Sequence, residues 1–289
     1  MKFAYFGGEP LGIPVLEELK QNNLLPDLIV CNPDRPVGRS QTLTAPSLKA
    51  WAAKNDIAVF QPTSYQNPAD MSVLTEQDWD VFVVVAYNFI LPNWLLEIPE
   101  KGVLNVHPSL LPSLRGASPI RTAIKENLVD DIGVTIMLLD EEMDHGPILE
   151  QEQFLPNANK WPLPGPVLDG FLGKMGGRLL SDVLPAWVRD ELSPQDQDHE
   201  SATYCGKLQK ADGELTINPH KLPVGKYATI SWHTIQALEG IGGTFFVHAQ
   251  KRVKITKAEL TNGGSLRLLR VVPEGKSEMD FSQYLQSVS

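Results

Sequence analysis

Asp80-Val81-Phe82-Val83-Val84-Val85-Ala86 is apolar at every position after its charged start. A strand with one solvated face would alternate, and this one does not. An unbroken run of β-branched and aromatic residues suits a central strand covered on both faces by helices, the setting of a parallel sheet. On either side, short apolar runs alternate with segments of helical period, which is the signature of βαβ units. Upstream, Lys2–Phe6 reads as a strand and Pro14–Gln21 as a helix, with Pro10 and Pro14 tolerable only near its start. Asp27–Cys31 is a second strand, Ser47–Asn55 a helix with Leu48, Trp51 and Ala52 on one face, and Ala58–Gln61 a third strand. Downstream come a strand over Gly102–His107, a proline-rich loop, a helix from about Ser118 to Glu126, and a strand over Gly133–Leu139. The fold class expected is α/β, with a mostly parallel sheet and helices on both faces.

Residues 153–169 are rich in Pro, Asn and Gly and read as an irregular loop before a helix from about Val167 to Val188. Seven of the thirteen residues in Arg189–Ser201 are acidic or amides, which suggests a solvated linker. Beyond it lie short β-like runs at Thr244–Ala249, Arg252–Thr256 and Ser265–Val272, with Asn262-Gly263-Gly264 as the turn between the last two. The domains expected are therefore 1–189, a linker at 190–202, and a smaller β-rich unit at 203–289.

The 289 residues carry a net charge of −10, which argues against a general nucleic-acid coat protein, but the charge is unevenly spread. Up to residue 202 there are 14 Lys and Arg against 28 Asp and Glu; after it there are 11 against 7. A basic segment appended to an acidic one has the character of a polyanion-binding attachment. The start is too short an apolar run for a signal peptide and no stretch approaches a membrane span, so a cytosolic protein with no membrane contact is expected. Cys31 and Cys205, the only cysteines, lie far apart and read as free thiols. The histidines at 145, 199, 220, 233 and 248 show no ligand-like spacing, and no metal is expected.

Two stretches carry chemistry. The first is Gly102-Val103-Leu104-Asn105-Val106-His107-Pro108-Ser109-Leu110-Leu111-Pro112-Ser113-Leu114-Arg115-Gly116. On a strand, Asn105 and His107 point to one face, and an amide beside an imidazole can donate two hydrogen bonds to one developing oxyanion. The prolines then stiffen the chain at the carboxyl edge, where open α/β sheets place ligands. The second runs Gly133-Val134-Thr135-Ile136-Met137-Leu138-Leu139-Asp140-Glu141-Glu142-Met143-Asp144-His145-Gly146 and ends in a turn with four carboxylates. A neighbouring strand ending the same way could bring one carboxylate beside His107, orienting the ring and favouring its charged form.

Together these motifs resemble the folate-dependent formyltransferase family over about residues 3–185. That family includes the glycinamide ribonucleotide, methionyl-tRNA and amino-sugar formyltransferases. The resemblance implies a Rossmann-like sheet, 10-formyltetrahydrofolate as co-substrate without a metal, and Asn105, His107 and Asp144 as the catalytic trio. It also implies a pterin pocket between Tyr87-Asn88-Phe89-Ile90-Leu91 and Asp140-Glu141-Glu142, with Ser109 and Leu110 positioning folate or acceptor.

Asn32-Pro33-Asp34-Arg35-Pro36-Val37-Gly38-Arg39 looks like a loop of the methionyl-tRNA formyltransferases, and Thr203-Tyr204 through Asp212-Gly213 like the start of their C-terminal, OB-like domain. This implies a charged initiator tRNA as partner, with Arg35 and Arg39 at its acceptor stem and Lys207 and Lys210 beside it. The bland alternative for Arg35 and Arg39 is an ion pair with Asp34. In Lys251–Lys257 the strand period puts Val253 and Ile255 on one face and Arg252 and Lys254 on the other, a design for tracking phosphates. Some features depart from that class. Ser40-Gln41-Thr42 stands where lysines are usual, and the segment after Glu259 leaves little room for a complete barrel. These departures favour the second candidate, an enzyme for a small amine such as a nucleotide-linked amino sugar. A monomer is expected in either case.

Overall fold

The structure is a computed structural model that describes residues 1–38 and 40–288. In the first part of the chain the elements are β1 (Phe3–Gly7), α1 (Gly12–Gln21), β2 (Leu28–Cys31), a hairpin of β3 (Arg35–Val37) and β4 (Thr42–Thr44), α2 (Ser47–Lys54), β5 (Ala58–Phe60), α3 (Ser72–Thr75), β6 (Val81–Val85) and α4 (Asn93–Leu96). There follow β7 (Val103–His107), β8 (Arg115–Gly116), α5 (Pro119–Glu126), β9 (Gly133–Leu138), β10 (Ile148–Gln153), α6 (Gly165–Val188) and β11 (Tyr204–Cys205).

The large sheet has the order β10-β9-β7-β6-β1-β2-β5. Its β5, β2, β1, β6 and β7 are parallel, as the apolar run at its centre predicts. All five residues of β6 are buried. Full burial of such side chains stabilises the fold by about 1.5–3 kcal/mol each. On one face Phe82, Val84 and Val103 join Phe6, Val30 and Leu95 in a core cluster. On the other, α6 approaches so closely that a Cβ on Gly176 would lie 2.7 Å from Val106. Side chains alternate across a strand. With Val103 on the cluster face and Val106 under α6, Asn105 and His107 must therefore fall on the cluster face.

The last two strands differ from expectation. β9 pairs antiparallel with β7, matching Leu104 to Leu138 and His107 to Thr135. The acidic turn thus leaves the sheet at the end opposite His107, so a neighbouring strand ending the same way is not how the carboxylate arrives. β10, which the sequence did not announce, turns back along β9. The presumed solvated linker is also partly built in: Gln195 exchanges backbone hydrogen bonds of 2.7 and 2.8 Å with Ile148, and Gln197 is buried.

By contacts the chain divides into two compact units, the second comprising Ala117–Asp130, Leu155–Leu168 and Cys205–Ser289. Within it, α7 (Lys226–Leu238) precedes β12 (Thr244–His248), β13 (Lys251–Leu260), β14 (Leu266–Pro273), β15 (Met279–Asp280) and α8 (Phe281–Gln286). The strands form an open antiparallel sheet in that order. Val253 and Ile255 enter its core with Phe246, Leu268, Val271 and Tyr284. Helix α7 is unannounced by the sequence, because its Thr, Ile, Trp and Tyr residues read equally well as β. It packs on α5, where the His233 ring lies 2.7 Å from the carbonyl of Ile124.

Candidate functional site

Asn105 and His107 close β7 almost buried, at 8% and 4% exposure. His107 has an oxygen facing each of its ring nitrogens. Its Nε2 lies 3.1 Å from the carbonyl of Leu114, and its Nδ1 faces Asp144 Oδ1 at 3.5 Å. Both neighbours are oxygens, so a ring protonated at both nitrogens meets each with a donor. The amide of Asn105 has no hydrogen-bond partner recorded among the described residues.

Asp144 reaches this point because the loop after β9 folds back over the sheet. The first turn is fixed where Leu139 N–H donates to Val103 O and Leu138 N–H to Pro147 O. The return passes so close to Leu138 that a Cβ on Gly146 would sit 2.1 Å from its carbonyl oxygen. Asp144 itself has φ +52°, and its Oδ2 accepts 2.7 Å from the N–H of Gly116. Leu114, whose carbonyl faces His107, also lies in the left-handed region at φ +61°. Asp tolerates that region, whereas a bulky residue such as Leu114 seldom adopts it.

The loop at Pro108–Gly116 is shaped from within. Ser109 is fully buried, and its hydroxyl donates 2.6 Å to Ser113 O rather than facing a ligand. Thr135 uses its hydroxyl three times: it donates to Ser109 O and accepts from Leu111 N–H and from the Gln151 amide. Leu110 is half-buried and packs on Gly133.

The segment expected to meet a pterin divides. Leu91 is core, while Ile90 is 84% exposed. Tyr87 and Phe89 are half-buried and pack, with Leu139, on the cluster beneath Asn105. Tyr87 shares a 2.8 Å hydrogen bond with Tyr65, and burial pushes both phenols well above their usual pKa, keeping them neutral. Asn88 and Glu142 are exposed. Asp140 and Glu141 are taken by protein partners, Asp140 by the His145 ring at 2.7 Å and Glu141 by the Asn93 amide at 2.6 Å.

Arg115 and Gln197, to which sequence reasoning gave no role, join His145 and His199 next to Asp144. Arg115 is 2% exposed and directs Nε and Nη2 to Gln197 Oε1 at 3.1 and 2.7 Å. Its Nη2 also lies 2.9 Å from His199 Nδ1. The His199 ring stacks on His145 with centroids 4.0 Å apart. These two histidines, 54 positions apart in sequence, offered no spacing signal.

Of the residues expected to touch RNA, Arg35, Lys207, Lys210 and Lys254 are exposed. Arg39 lies outside the described residues. The Asp34–Arg35 ion pair does not form. Lys49 and Gln61 hold Asp34 instead, and the Lys49 ammonium draws its carboxyl below the usual range. Arg252 lays its guanidinium over the Phe245 ring at 3.8 Å, so much of its reach is spent on packing.

Known proteins resemble this chain over most of its length. The formyl transferase family profile matches residues 1–157. A methionyl-tRNA formyltransferase of Myxococcus xanthus is 34% identical over 281 residues, covering 89% of this chain and 86% of that protein. One from Herpetosiphon aurantiacus is 35% identical over 312 residues, covering 96% and 95%. Among solved structures, an N-formyltransferase from Helicobacter canadensis, in complex with folinic acid and dTDP-3-aminofucose, superposes with TM-score 0.63 at 17% identity, covering 93% of this chain and 98% of that one. A methionyl-tRNA formyltransferase from Clostridium thermocellum gives 0.56 at 14%, covering 96% and 98%. At such identities the structural likeness speaks for the fold alone.

Proposed function

Because the chain belongs to the formyl transferase family, we propose that it formylates the amino group of a charged initiator methionyl-tRNA from 10-formyltetrahydrofolate, with Asn105, His107 and Asp144 at the reaction centre. One observation carries the proposal: a loop that leaves the sheet at its far end returns to set Asp144 against His107, on the strand whose other inward polar side chain is Asn105.

The surroundings fit a folate. The half-buried Tyr87 and Phe89 rings and Leu139 offer apolar surface to a flat ring system, and exposed Asn88 and Glu142 lie in the same two loops with polar groups for its edge. When bound, 10-formyltetrahydrofolate supplies the formyl carbon and its carbonyl oxygen. Asn105 donates its amide N–H to that oxygen as negative charge develops there. His107 contributes a second donor, and the geometry limits which one. The Nε2 donor is taken by Leu114 O, so the Nδ1 side, facing Asp144 across a loose 3.5 Å, is the one with freedom to turn toward substrate. Removing one such donor typically costs about 10²–10³-fold in kcat. Asp144 keeps the ring in place and accepts the proton that the attacking amine sheds; as the bond from the formyl carbon to N10 breaks, that proton passes to N10 and tetrahydrofolate leaves.

Near-full-length similarity to methionyl-tRNA formyltransferases supports the tRNA acceptor over a small amine. Exposed Lys207, Lys210 and Lys254, with Arg35 and Arg39, are then the cations proposed to meet RNA phosphates, with Arg252 in a lesser role. The test offers the protein 10-formyltetrahydrofolate with charged initiator tRNA or, separately, nucleotide-linked amino sugars. Gain of the formyl mass on methionyl-tRNA, with a KM that rises steeply with salt, is the expected result. Formylation of the sugars alone would refute the assignment.

A further inference from the structure

Gln197 lies 53 residues beyond Asp144 in a stretch whose composition suggests a solvated tether, yet it is only 5% exposed. Its amide is used to capacity. Nε2 donates to Asp144 O at 2.9 Å and to Gly146 O at 2.7 Å, while Oε1 accepts from Arg115 Nε and Nη2 at 3.1 and 2.7 Å. A guanidinium has no acceptor, so Arg115 dictates which end of the amide faces which loop. Arg115 directly precedes Gly116, whose N–H holds the Asp144 carboxylate. One side chain therefore ties together the two loops that carry His107's surroundings and Asp144.

We propose that Gln197, oriented by Arg115, is a positioning residue for Asp144. It pins the carbonyls on either side of His145 and so holds the carboxylate at His107. The proposal rests on the reading of Asn105, His107 and Asp144 as the reaction centre. It assigns Gln197 no contact with substrate.

The test is a double-mutant cycle on the full chain, using Gln197→Met, Asp144→Asn and the pair. Methionine keeps the volume and removes both donors together with the acceptor that Arg115 uses. Single-turnover formylation of methionyl-tRNA and amide hydrogen exchange at Gly116 by NMR are read on each variant. Gln197→Met is expected to lower the rate about 10- to 100-fold, the cost of about 1 Å of misplacement, with KM for 10-formyltetrahydrofolate unchanged. The Gly116 amide should exchange faster as its bond to Asp144 is lost. In the Asp144→Asn background the same change should cost almost nothing more, because its effect passes through the missing carboxylate. Should the methionine variant not fold, Gln197→Glu keeps an acceptor for Arg115 and sets a carboxylate oxygen, with no donor, against the two carbonyls. Equal losses in both backgrounds, or unchanged Gly116 exchange, would overturn the positioning role while leaving the reaction centre intact. A wild-type rate in Asp144→Asn would overturn both.

Discussion

Replacing Gly146 with alanine should inactivate the protein more than it unfolds it. The added Cβ would lie 2.1 Å from Leu138 O and 3.1 Å from Leu138 C, both backbone atoms that cannot swing aside. An ordinary carbon–oxygen contact needs about 3.3 Å, so the returning limb of the loop must lift by about 1 Å. That limb carries Asp144, only two residues away, whose distance to His107 is already 3.5 Å. Misplacement of about 1 Å at a reacting group costs about 10²-fold in rate, or close to 3 kcal/mol of barrier. Overpacking of this kind removes about 1–3 kcal/mol of stability, a fall in Tm of about 2–10 °C for a chain of this size. Steady-state formylation and thermal unfolding would be measured on the same preparation. Gly170→Ala is the control: on α6, with nothing within 4 Å of the added methyl, it should leave activity alone and raise stability by about 0.5–1 kcal/mol. If Gly146→Ala turned over at the wild-type rate, the tight return of the loop would not be what sets Asp144 in place.

Thr135→Val conserves shape but strands the Leu111 N–H, the Gln151 amide and the Ser109 carbonyl; it should cost about 2–4 kcal/mol in urea unfolding, and a loss under 1 kcal/mol would contradict the role given to that hydroxyl. The Asp34 carboxyl is held below its ordinary pKa by Lys49, so its stabilisation is complete above the unfolded value near 4 and is lost as pH falls through the folded one. The stability gap between wild type and Lys49→Met should therefore close below about pH 4, and a gap that persists at pH 2 would mean that packing, not charge, is responsible. Burial pushes the Cys31 thiol up to about 11, so a thiol reagent at pH 8 should leave it unlabelled in the native protein and label it at once in denaturant.

The parallel core was legible because β6 has no solvated face and its composition says so. Asn105 and His107 were legible for a related reason: the two-residue period of a strand fixes their common face whatever surrounds them. The direction of β9 was not, since the connection from Gly116 to Gly133 can return to either end of the sheet. Asp144 therefore reaches His107 by a route that the strand pattern did not predict. Ser109 was expected near folate or acceptor only through the family resemblance; the tight turn to Ser113 directs its hydroxyl inward. Gln197 had no local signal at all. Among acidic neighbours it looked like tether, and its value lies in four hydrogen bonds to residues at least fifty positions away.

The claim on which the rest depends is that Asn105, His107 and Asp144 converge on one carbonyl oxygen. A crystal structure with a hydrolytically inert analogue of 10-formyltetrahydrofolate bound tests it most directly. The formyl oxygen should lie within about 3.2 Å of Asn105 Nδ2 and on the Nδ1 side of His107, with the pterin between residues 86–91 and 139–144. A formyl group directed away from Asn105, or a pterin bound outside those two loops, would contradict it.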